Sequence, residues 1–467
     1  MEENQENKKL KDILYDLTLH DVPAYANKFF YSLGFLAMVT FVLLVISGLI
    51  MVFFGPNWWL TANVGIFVRS IHLWAAQAFI VFIILHLIIV FLTSGFKGPR
   101  KLTWVLGALM FFFALFEAEF GYGLRDDFSS QWRTLSAADF YNGSGLGAFI
   151  NNLNYAQIYG IHIVLIPLII LVLLASHYLL VKVRGLAKPY LKDCPVKMVK
   201  ANHKTLFARG IILTVVIFGL AFAFRAPLIL PTTISFAAKN DPSLVAETLI
   251  AEFNRTSDTA TYLDNIDPYQ YDTREIYIIK PYKKYLELTT GQNILADWLK
   301  LNSSSRVKDI DAAKSYFKNN GAIVTSLDKN NPFITVIGSL VTMAQSGLYQ
   351  DWLNGSEAVG NLTYSQRFLS DTGIIKTKAK KLGITTKQYG MVREENGAWP
   401  PGAWWLAPLG FLDNTVLAND PNQDRDGAEI LGVLMLIFIA FPYIPGLSRI
   451  PEKLNLAKFF WRTKNQT

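Results

Sequence analysis

Two apolar stretches of the chain each carry two histidines at nearly the same interval, and this feature constrains the fold most. His72 and His86 lie fourteen residues apart within residues 68–92, and His162 and His177 lie fifteen apart within residues 158–183. Both stretches are long enough to cross a bilayer, which takes about 20 apolar residues. Ionisable side chains are costly at that depth and usually serve a function there. One such histidine could simply hydrogen-bond a neighbouring helix, but two matched pairs favour a bound cofactor.

The histidine spacing predicts two haems at different depths. Fourteen residues of helix rise about 21 Å in just under four turns, so both imidazoles of one stretch point to nearly the same side. Both stretches run from outside to inside, so His72 is predicted to pair with His162 near the outer face and His86 with His177 near the inner face. Iron held by two imidazoles has no open position, which makes it an electron carrier.

Glycines recur at the same interval in the neighbouring apolar stretches. Gly34 and Gly48 lie in the first, and Gly107 and Gly121 in the third. Small residues in membrane helices usually allow close helix packing. Because their interval matches that of the histidines, we predict that each glycine makes room for a flat macrocycle at one depth.

The composition indicates a membrane protein with room for one soluble domain. Of its 467 residues, 52% are hydrophobic, which is high for a soluble protein. The lone Cys194 excludes an intrachain disulfide, a Cys-x-x-Cys-His haem attachment and a cysteine-ligated iron–sulfur cluster within this chain. The haems are therefore predicted to be two non-covalent b-type haems. Six membrane spans are predicted, at about residues 29–54, 68–92, 103–120, 158–183, 207–224 and 429–446.

The loops predict the orientation in the cell membrane. The loop at 93–102 and the link at 182–209 are rich in Lys and Arg, whereas the loop at 55–67 contains neither. Cytoplasmic loops collect basic residues, so both termini are predicted to be cytoplasmic and residues 227–428 extracytoplasmic. The net charge of +8 is explained in this way, and no nucleic-acid partner is predicted.

The predicted fold class is an all-α membrane protein. It comprises a four-helix di-haem transmembrane bundle, two further transmembrane helices and a mainly helical extracytoplasmic insertion domain. The predicted segments are a cytoplasmic N-terminal segment (1–28), the di-haem bundle (29–187), a cytoplasmic link with the fifth helix (188–235), the insertion domain (236–395), a loop remnant with the sixth helix (396–447) and a cytoplasmic tail (448–467).

These motifs resemble the cytochrome b/b6 family, the di-haem subunits of cytochrome bc-type complexes. The N-terminal part is similar to cytochrome b6 and the C-terminal part to subunit IV, with a large insertion between them. The matching residues are 69–72 (Arg-Ser-Ile-His), 92–107, Gly121-Tyr122, His162, His177, Trp404-Trp405-Leu-Ala-Pro408 and 431–435 (Leu-Gly-Val-Leu-Met). The resemblance implies haems bL and bH, an outer quinol-oxidising and an inner quinone-reducing pocket, a Rieske iron–sulfur partner, a cytochrome c or other acceptor subunit, and a homodimer within a larger complex.

The chain departs from the family pattern at four places. Ser32 replaces the cysteine that holds an extra haem in b6 proteins, Ile89 replaces a basic residue, and Arg125-Asp126 replace a Pro-Trp pair. Ala403 stands where the family's quinol-loop motif has its glutamate. Quinol oxidation releases protons, so another base must then serve. Glu119 is the predicted proton acceptor, with Glu117 on another side of the helix. The alternative is a structural salt bridge to Arg125 or Arg133.

Further candidates lie beside the predicted haems and the quinol pocket. Arg69 is one turn from His72 and is predicted to neutralise an outer-haem propionate. Lys182 and Arg184 contact either the inner haem or a quinone, or they anchor the helix at the cytoplasmic surface. Trp404 and Trp405 belong either to an interfacial aromatic belt or, as we prefer, to the lid of the quinol pocket.

Two functions are consistent with these residues. The first is a membrane-bound quinol:electron acceptor oxidoreductase subunit, acting with partner subunits and exchanging electrons with the membrane quinone. The second is a non-bifurcating di-haem anchor that links the quinone pool to another exported redox enzyme. A receptor or adhesin built on the outer domain is disfavoured by the four aligned histidines.

Overall fold

The computed structural model describes a chain that is almost entirely helical. It covers residues 21–186, 197–261, 272–289, 291–320, 331–356, 359–395, 397 and 399–454. Within these ranges the only paired strands are Asp21–Pro23 and Met198–Lys200, which are antiparallel. The predicted all-α membrane fold is confirmed. Cys194 and parts of the predicted terminal segments lie outside the described residues.

Six helices are long and apolar enough to cross a membrane, as predicted. They are Leu33–Phe54, Asn63–Leu92, Gly98–Gly123, Tyr155–Arg184, His203–Ala223 and Arg425–Tyr443. The second helix begins five residues earlier than predicted. The α-helical part of the sixth, Gln423–Ala440, ends before the predicted residue 446. Pro442 lies two residues after its end, and proline cannot supply the hydrogen-bond donor that a continuing helix needs.

The fourth spanning helix contains a π turn, which explains its fifteen-residue histidine interval. Residues Ile161–Leu165 form this turn, and it includes His162. Pro167 follows at the start of the next α-helical segment, Ile166–Arg184. A π turn takes up one extra residue within a helix. Fifteen residues here therefore turn through about the same angle as fourteen in an unbroken α-helix.

One compact unit holds most of the spanning helices. It comprises Met1–Ala118, Ile163–Ala226 and Gly432–Thr467. Two tryptophans connect its helices through their indole N–H groups: Trp74 donates to the Phe224 carbonyl and Trp104 to the Phe438 carbonyl, each at 2.9 Å. The shorter helices Pro56–Thr61 and Ile450–Lys453 also belong to this unit.

The other compact unit comprises Glu119–His162 and Pro227–Leu431. It therefore contains more than the predicted insertion at 236–395. One buried apolar core explains this, because Phe128, Leu135 and Leu153 pack in the same cluster as Phe333 and Phe368. Its helices are Phe128–Gly143, Ile234–Asn240, Pro242–Asn254, Lys280–Thr289, Ile294–Trp298, Ser303–Asn320, Pro332–Ser346, Leu348–Gly355, Thr363–Asp371, Ile374–Leu382 and Ala407–Asn414.

Candidate functional site

The first two spanning helices bring two glycines against two histidines. A Cβ atom at Gly34 would lie 3.3 Å from Cε1 of His86, and one at Gly48 would lie 3.4 Å from Cε1 of His72. Such distances are tighter than ordinary van der Waals contact. Both imidazoles thus lie against bare backbone at two levels of the same helix pair, whereas the shared interval was interpreted as room for a macrocycle.

The third and fourth spanning helices repeat this arrangement. A Cβ at Gly107 would lie 3.4 Å from Cε1 of His177, and one at Gly121 would lie 2.9 Å from Cε1 of His162. The last contact is closer than any side chain tolerates without a shift. In the first unit, His86 and His177 are near enough to interact electrostatically. Imidazole donors in apolar helices, with glycine beside each ring, fit a haem held by histidine.

A hydrogen bond to a neighbouring helix fixes the orientation of the His72 ring. Ser47 Oγ donates to the Leu43 carbonyl at 2.6 Å, and it lies 2.9 Å from His72 Nδ1. Because the single hydroxyl hydrogen is used in that bond, Ser47 accepts the hydrogen of Nδ1–H. The lone pair of Nε2 is then available for a metal, and the ring is held in one orientation.

A backbone carbonyl does the same at His177. Its Nδ1 lies 3.1 Å from the Thr103 carbonyl oxygen, which can only accept. Nδ1 therefore carries the hydrogen, and Nε2 is again the free donor atom. Sequence analysis identified neither Ser47 nor Thr103. Ser47 stands four residues after Leu43 in an apolar helix, and the sequence alone does not show that it meets His72 on another helix.

We expect Ser47→Ala to raise the midpoint potential of one haem by about 40 mV. A hydrogen bond of about 1 kcal/mol makes the imidazole a better electron donor and so stabilises oxidised iron. That energy corresponds to about 40 mV for a one-electron couple. Redox titration monitored by visible spectroscopy measures both haems separately. Thr40→Ala is the matched control, because Thr40 on the same helix bonds only to its own helix's carbonyls. Equal shifts in both variants would show that the His72 contact has no part in the effect.

The basic candidates occupy different environments. Arg69 is buried at 5% exposure. The Arg184 guanidinium donates to the Pro99 carbonyl, and Arg100 donates to the Arg184 carbonyl at 2.9 Å. Lys182 is exposed. Arg184 therefore joins the fourth helix to the loop before the third, which agrees with the anchoring alternative for that residue.

A buried charged cluster surrounds Tyr122 in the second unit. The Tyr122 hydroxyl donates to Glu394 Oε1 at 2.9 Å, and Arg125 Nη1 donates to the same oxygen at 2.8 Å. Arg125 also pairs with Asp127 Oδ2 at 2.7 Å. The guanidinium groups of Arg125 and Arg133 each lie 5.0 Å from the centre of the Tyr122 ring. Arg125 thus forms ion pairs with Asp127 and Glu394. The sequence analysis had considered Glu119 or Glu117 for such a pair.

The cluster is fixed in place by the start of the helix Phe128–Gly143. Asp127 is the N-cap of that helix and accepts from the Ser130 N–H at 2.8 Å, while Ser130 caps the Asp127 backbone in return. Capping of this kind satisfies helix donors that would otherwise lack a partner. Asp127 is fully buried, so the Arg125 guanidinium that pairs with it is also shielded from solvent.

Glu395 adds a further buried carboxyl to this cluster. It accepts from the Ile229 N–H at 2.9 Å and is 6% exposed. Burial raises the pKa of the Glu395 carboxyl to about 7, with the Asp127 charge adding to the rise and Arg125 opposing it. Sequence analysis did not identify Glu394 and Glu395. Two adjacent acids just before an aromatic run were the only signal, and they lie outside the family motif.

The aromatic run places Trp405 against Tyr122. The two ring centres are 5.9 Å apart in an edge-on arrangement, and Trp404 packs edge-on to Trp405 at 5.8 Å. Trp405 is 8% exposed, and its Nε1–H has no acceptor among the residues that the structure describes. Buried donors normally have a partner. This indole N–H is therefore a candidate hydrogen-bond donor to a ligand.

Glu119 and Glu117 occupy the third spanning helix just before Gly121. Glu119 belongs to the second unit, is partly buried and interacts electrostatically with Arg133 and Tyr141. The structural alternative was a salt bridge from such an acid to Arg125 or Arg133. Glu117 is also partly buried and belongs to the first unit. Residues two apart on a helix do not share a face, so the two acids have separate surroundings.

Parts of this chain are similar to known proteins. A family model for the cytochrome b N-terminal/b6/petB domain matches residues 77–236. Cytochrome b6 of Gracilaria tenuistipitata var. liui is 28% identical over 207 residues, which are 40% of this chain and 96% of that protein. Cytochrome b6 of Heliobacterium modesticaldum is 28% identical over 199 residues, which are 38% of this chain and 93% of that protein. A solved structure described as a hyperthermophilic respiratory Complex III is 18% identical, with a TM-score of 0.39, over 76% of this chain and 94% of its own.

Proposed function

This chain belongs to the cytochrome b/b6 family and is a multi-pass electron-transfer membrane subunit, and from this premise we propose that it is the di-haem subunit of a bc-type quinol-oxidising complex. It would carry electrons across the membrane between an outer quinol site and an inner quinone site. The enzyme would be a quinol:acceptor oxidoreductase, with catalysis requiring partner subunits.

One observation supports this proposal above the others: all four membrane histidines lie against a glycine. Gly34 with His86 and Gly107 with His177 would frame the inner haem. His72 and His162, each against its own glycine, are the proposed ligands of the outer haem. A haem with two imidazole ligands accepts and returns one electron at a time. The protein's part is to orient the imidazoles, as Ser47 does at His72 and the Thr103 carbonyl at His177 by contacting Nδ1.

The proposed quinol pocket uses residues at the outer end of the third helix. The buried Trp405 N–H would donate to a quinol oxygen, beside the Tyr122 ring. Glu119 is the proposed proton acceptor, since general bases must lie within reach of the proton they remove. Arg69 is proposed to face an outer-haem propionate. On the inner side, the exposed Lys182 is proposed to meet the inner haem edge or a quinone headgroup.

The basic loops support the proposed orientation, with both termini cytoplasmic and residues 227–428 outside. In that orientation the second unit would cover the outer quinol pocket and meet a one-electron acceptor. A Rieske iron–sulfur protein, a cytochrome c or similar acceptor subunit, and a second copy of this chain are the proposed partners within a larger complex.

One residue favours a second candidate function. Ala403, which is fully buried, stands where the family's quinol-loop glutamate would be. Without an outer base, the chain would serve as a non-bifurcating di-haem anchor between the quinone pool and another exported redox enzyme. Co-purification with an iron–sulfur protein supports the first function, whereas co-purification with a molybdenum enzyme supports the second.

The proposal predicts two b-type haems per chain, and quinol should reduce them. Pyridine haemochrome analysis of the purified complex measures the haem content, and stopped-flow spectroscopy measures their reduction by a soluble quinol. One haem or none per chain would contradict the di-haem assignment. Two haems that no quinol reduces, in the complex with its partners, would contradict quinol oxidation while leaving the electron-carrier role in place.

A further inference from the structure

We propose that the paired carboxyls of Glu394 and Glu395 accept a proton released by quinol through the Tyr122 hydroxyl. This inference rests on the proposed quinol oxidation. It assigns the outward proton path to residues near the end of the insertion, in a chain whose quinol loop has Ala403 at the usual glutamate position.

The first step is a path within the second unit, from the packed aromatic rings to a hydrogen-bonded carboxyl. Trp405 packs on Tyr122, and its buried N–H is available to a ligand oxygen. The Tyr122 hydroxyl lies next in line and donates to Glu394 Oε1 at 2.9 Å. A hydroxyl can accept one proton while giving up another, so Tyr122 connects the pocket to Glu394 without itself changing charge.

The second step is the capacity of the carboxyl pair to hold a proton. Oε1 of Glu394 is used by Tyr122 and Arg125, but its Oε2 has no hydrogen-bond partner among the described residues. Oε2 of Glu395 is also buried without a partner there. A buried carboxylate oxygen without a donor is costly. Protonation of one carboxyl lowers that cost, and a second carboxyl beside it can accept the new hydrogen bond.

The charges around Glu395 bear on whether its carboxyl group binds a proton. Two carboxylates face it, Asp127 and Glu394, and two cations, Arg125 and Lys378. Burial disfavours the charged form of Glu395, and the negative charges of Asp127 and Glu394 act in the same direction, so both favour uptake of one proton. The pKa of Glu395, raised by burial to about 7, identifies it as the carboxyl that holds this proton near neutral pH.

The reaction then balances in protons and electrons. Oxidation of one quinol breaks two O–H bonds and releases two electrons and two protons. One electron goes to the haem chain and the other to a one-electron acceptor on a partner subunit. One proton goes to Glu119, as proposed above. The other goes to the Tyr122 oxygen as the Tyr122 proton moves to the carboxyl pair. Lys378 donates to the Leu230 carbonyl, interacts electrostatically with Glu395 and is partly exposed, so the proton can leave towards solvent on that side.

The test compares pH profiles of quinol-driven haem reduction in the intact complex. A carboxylate accepts a proton only when ionised, so the rate should rise with pH through about 7 in the unmodified protein. The ionised fraction of such a group rises about tenfold between about pH 6 and about pH 8. Glu395→Gln should remove this rise, leaving the rate about tenfold low at about pH 8 and nearly unchanged at about pH 6. Glu395→Asp should restore the rise.

Two measurements separate proton uptake from a structural role. Infrared difference spectroscopy should show a protonated-carboxyl band that titrates near pH 7 and disappears in Glu395→Gln. Glu287→Gln is the matched control, because Glu287 is 67% exposed in the same unit, and both the band and the rate profile should remain. A profile and band that persist in Glu395→Gln overturn the inference. Absence of quinol reduction in the unmodified protein overturns instead the proposed function on which it rests.

Discussion

Replacing His86 with alanine should remove one haem of the pair and leave the other largely in place. His86 and His177 lie against Gly34 and Gly107, whereas His72 lies against Gly48 on another level of the first helix. Fourteen residues separate the levels by about 21 Å, so loss of one imidazole should not disturb the other site. Haem content should fall from two to one per chain, and the remaining haem should keep its spectrum and midpoint potential.

Another histidine provides the control for this experiment. His203 begins the fifth spanning helix, outside the two helices that carry the four proposed ligand histidines, and His203→Ala should keep both haems. Membrane fractionation shows whether each variant inserts normally. Equal loss of both haems in a His86→Ala protein that still inserts would argue against two separate sites.

Glu119→Gln should slow quinol-driven haem reduction by about tenfold or more. General-base catalysis contributes at least that much in most enzymes, and the amide keeps the size of the side chain while it removes the basic oxygen. The residue lies two positions before Gly121, which contacts His162, so haem spectra must be recorded with the rates. Stopped-flow reduction with a soluble quinol gives the measurement.

Glu117→Gln is the comparison variant for Glu119. The two acids share a helix and chemistry but not a face, so Glu117→Gln should retain most of the rate. Full turnover in both variants, with both haems intact, would remove Glu119 from the mechanism. The non-bifurcating anchor would then be the better interpretation, unless the Glu395 variants show the lost pH dependence described above.

Periodicity and spacing in the sequence were sufficient to predict the membrane architecture. All six spanning helices occur where hydropathy places them, with ends displaced by a few residues at Asn63 and Pro442. The association of each histidine with a glycine follows from the shared interval. These features repeat along single helices, so they leave a pattern that can be read without knowing which helices are neighbours.

Contacts between distant segments left no such pattern. Tyr122 and Glu394 are joined by one hydrogen bond across 272 positions of the chain. The serine that orients His72 lies 25 residues before it on another helix. The core that joins Phe128 to Phe333 likewise extends the second unit beyond the predicted insertion. Each of these depends on which helices pack together, which spacing along one helix does not reveal.

The π turn at Ile161–Leu165 has a consequence for recognising distant relatives of such chains. An extra residue absorbed within one turn leaves both flanking helix faces in phase, so an insertion there can become fixed without changing either imidazole's direction. An alignment would show it as a single-position gap inside a hydrophobic segment, which is normally penalised heavily. A sequence profile that allows one extra residue before the position of Pro167 would detect relatives with a fifteen-residue histidine interval. A search motif with a fixed fourteen-residue interval would miss them.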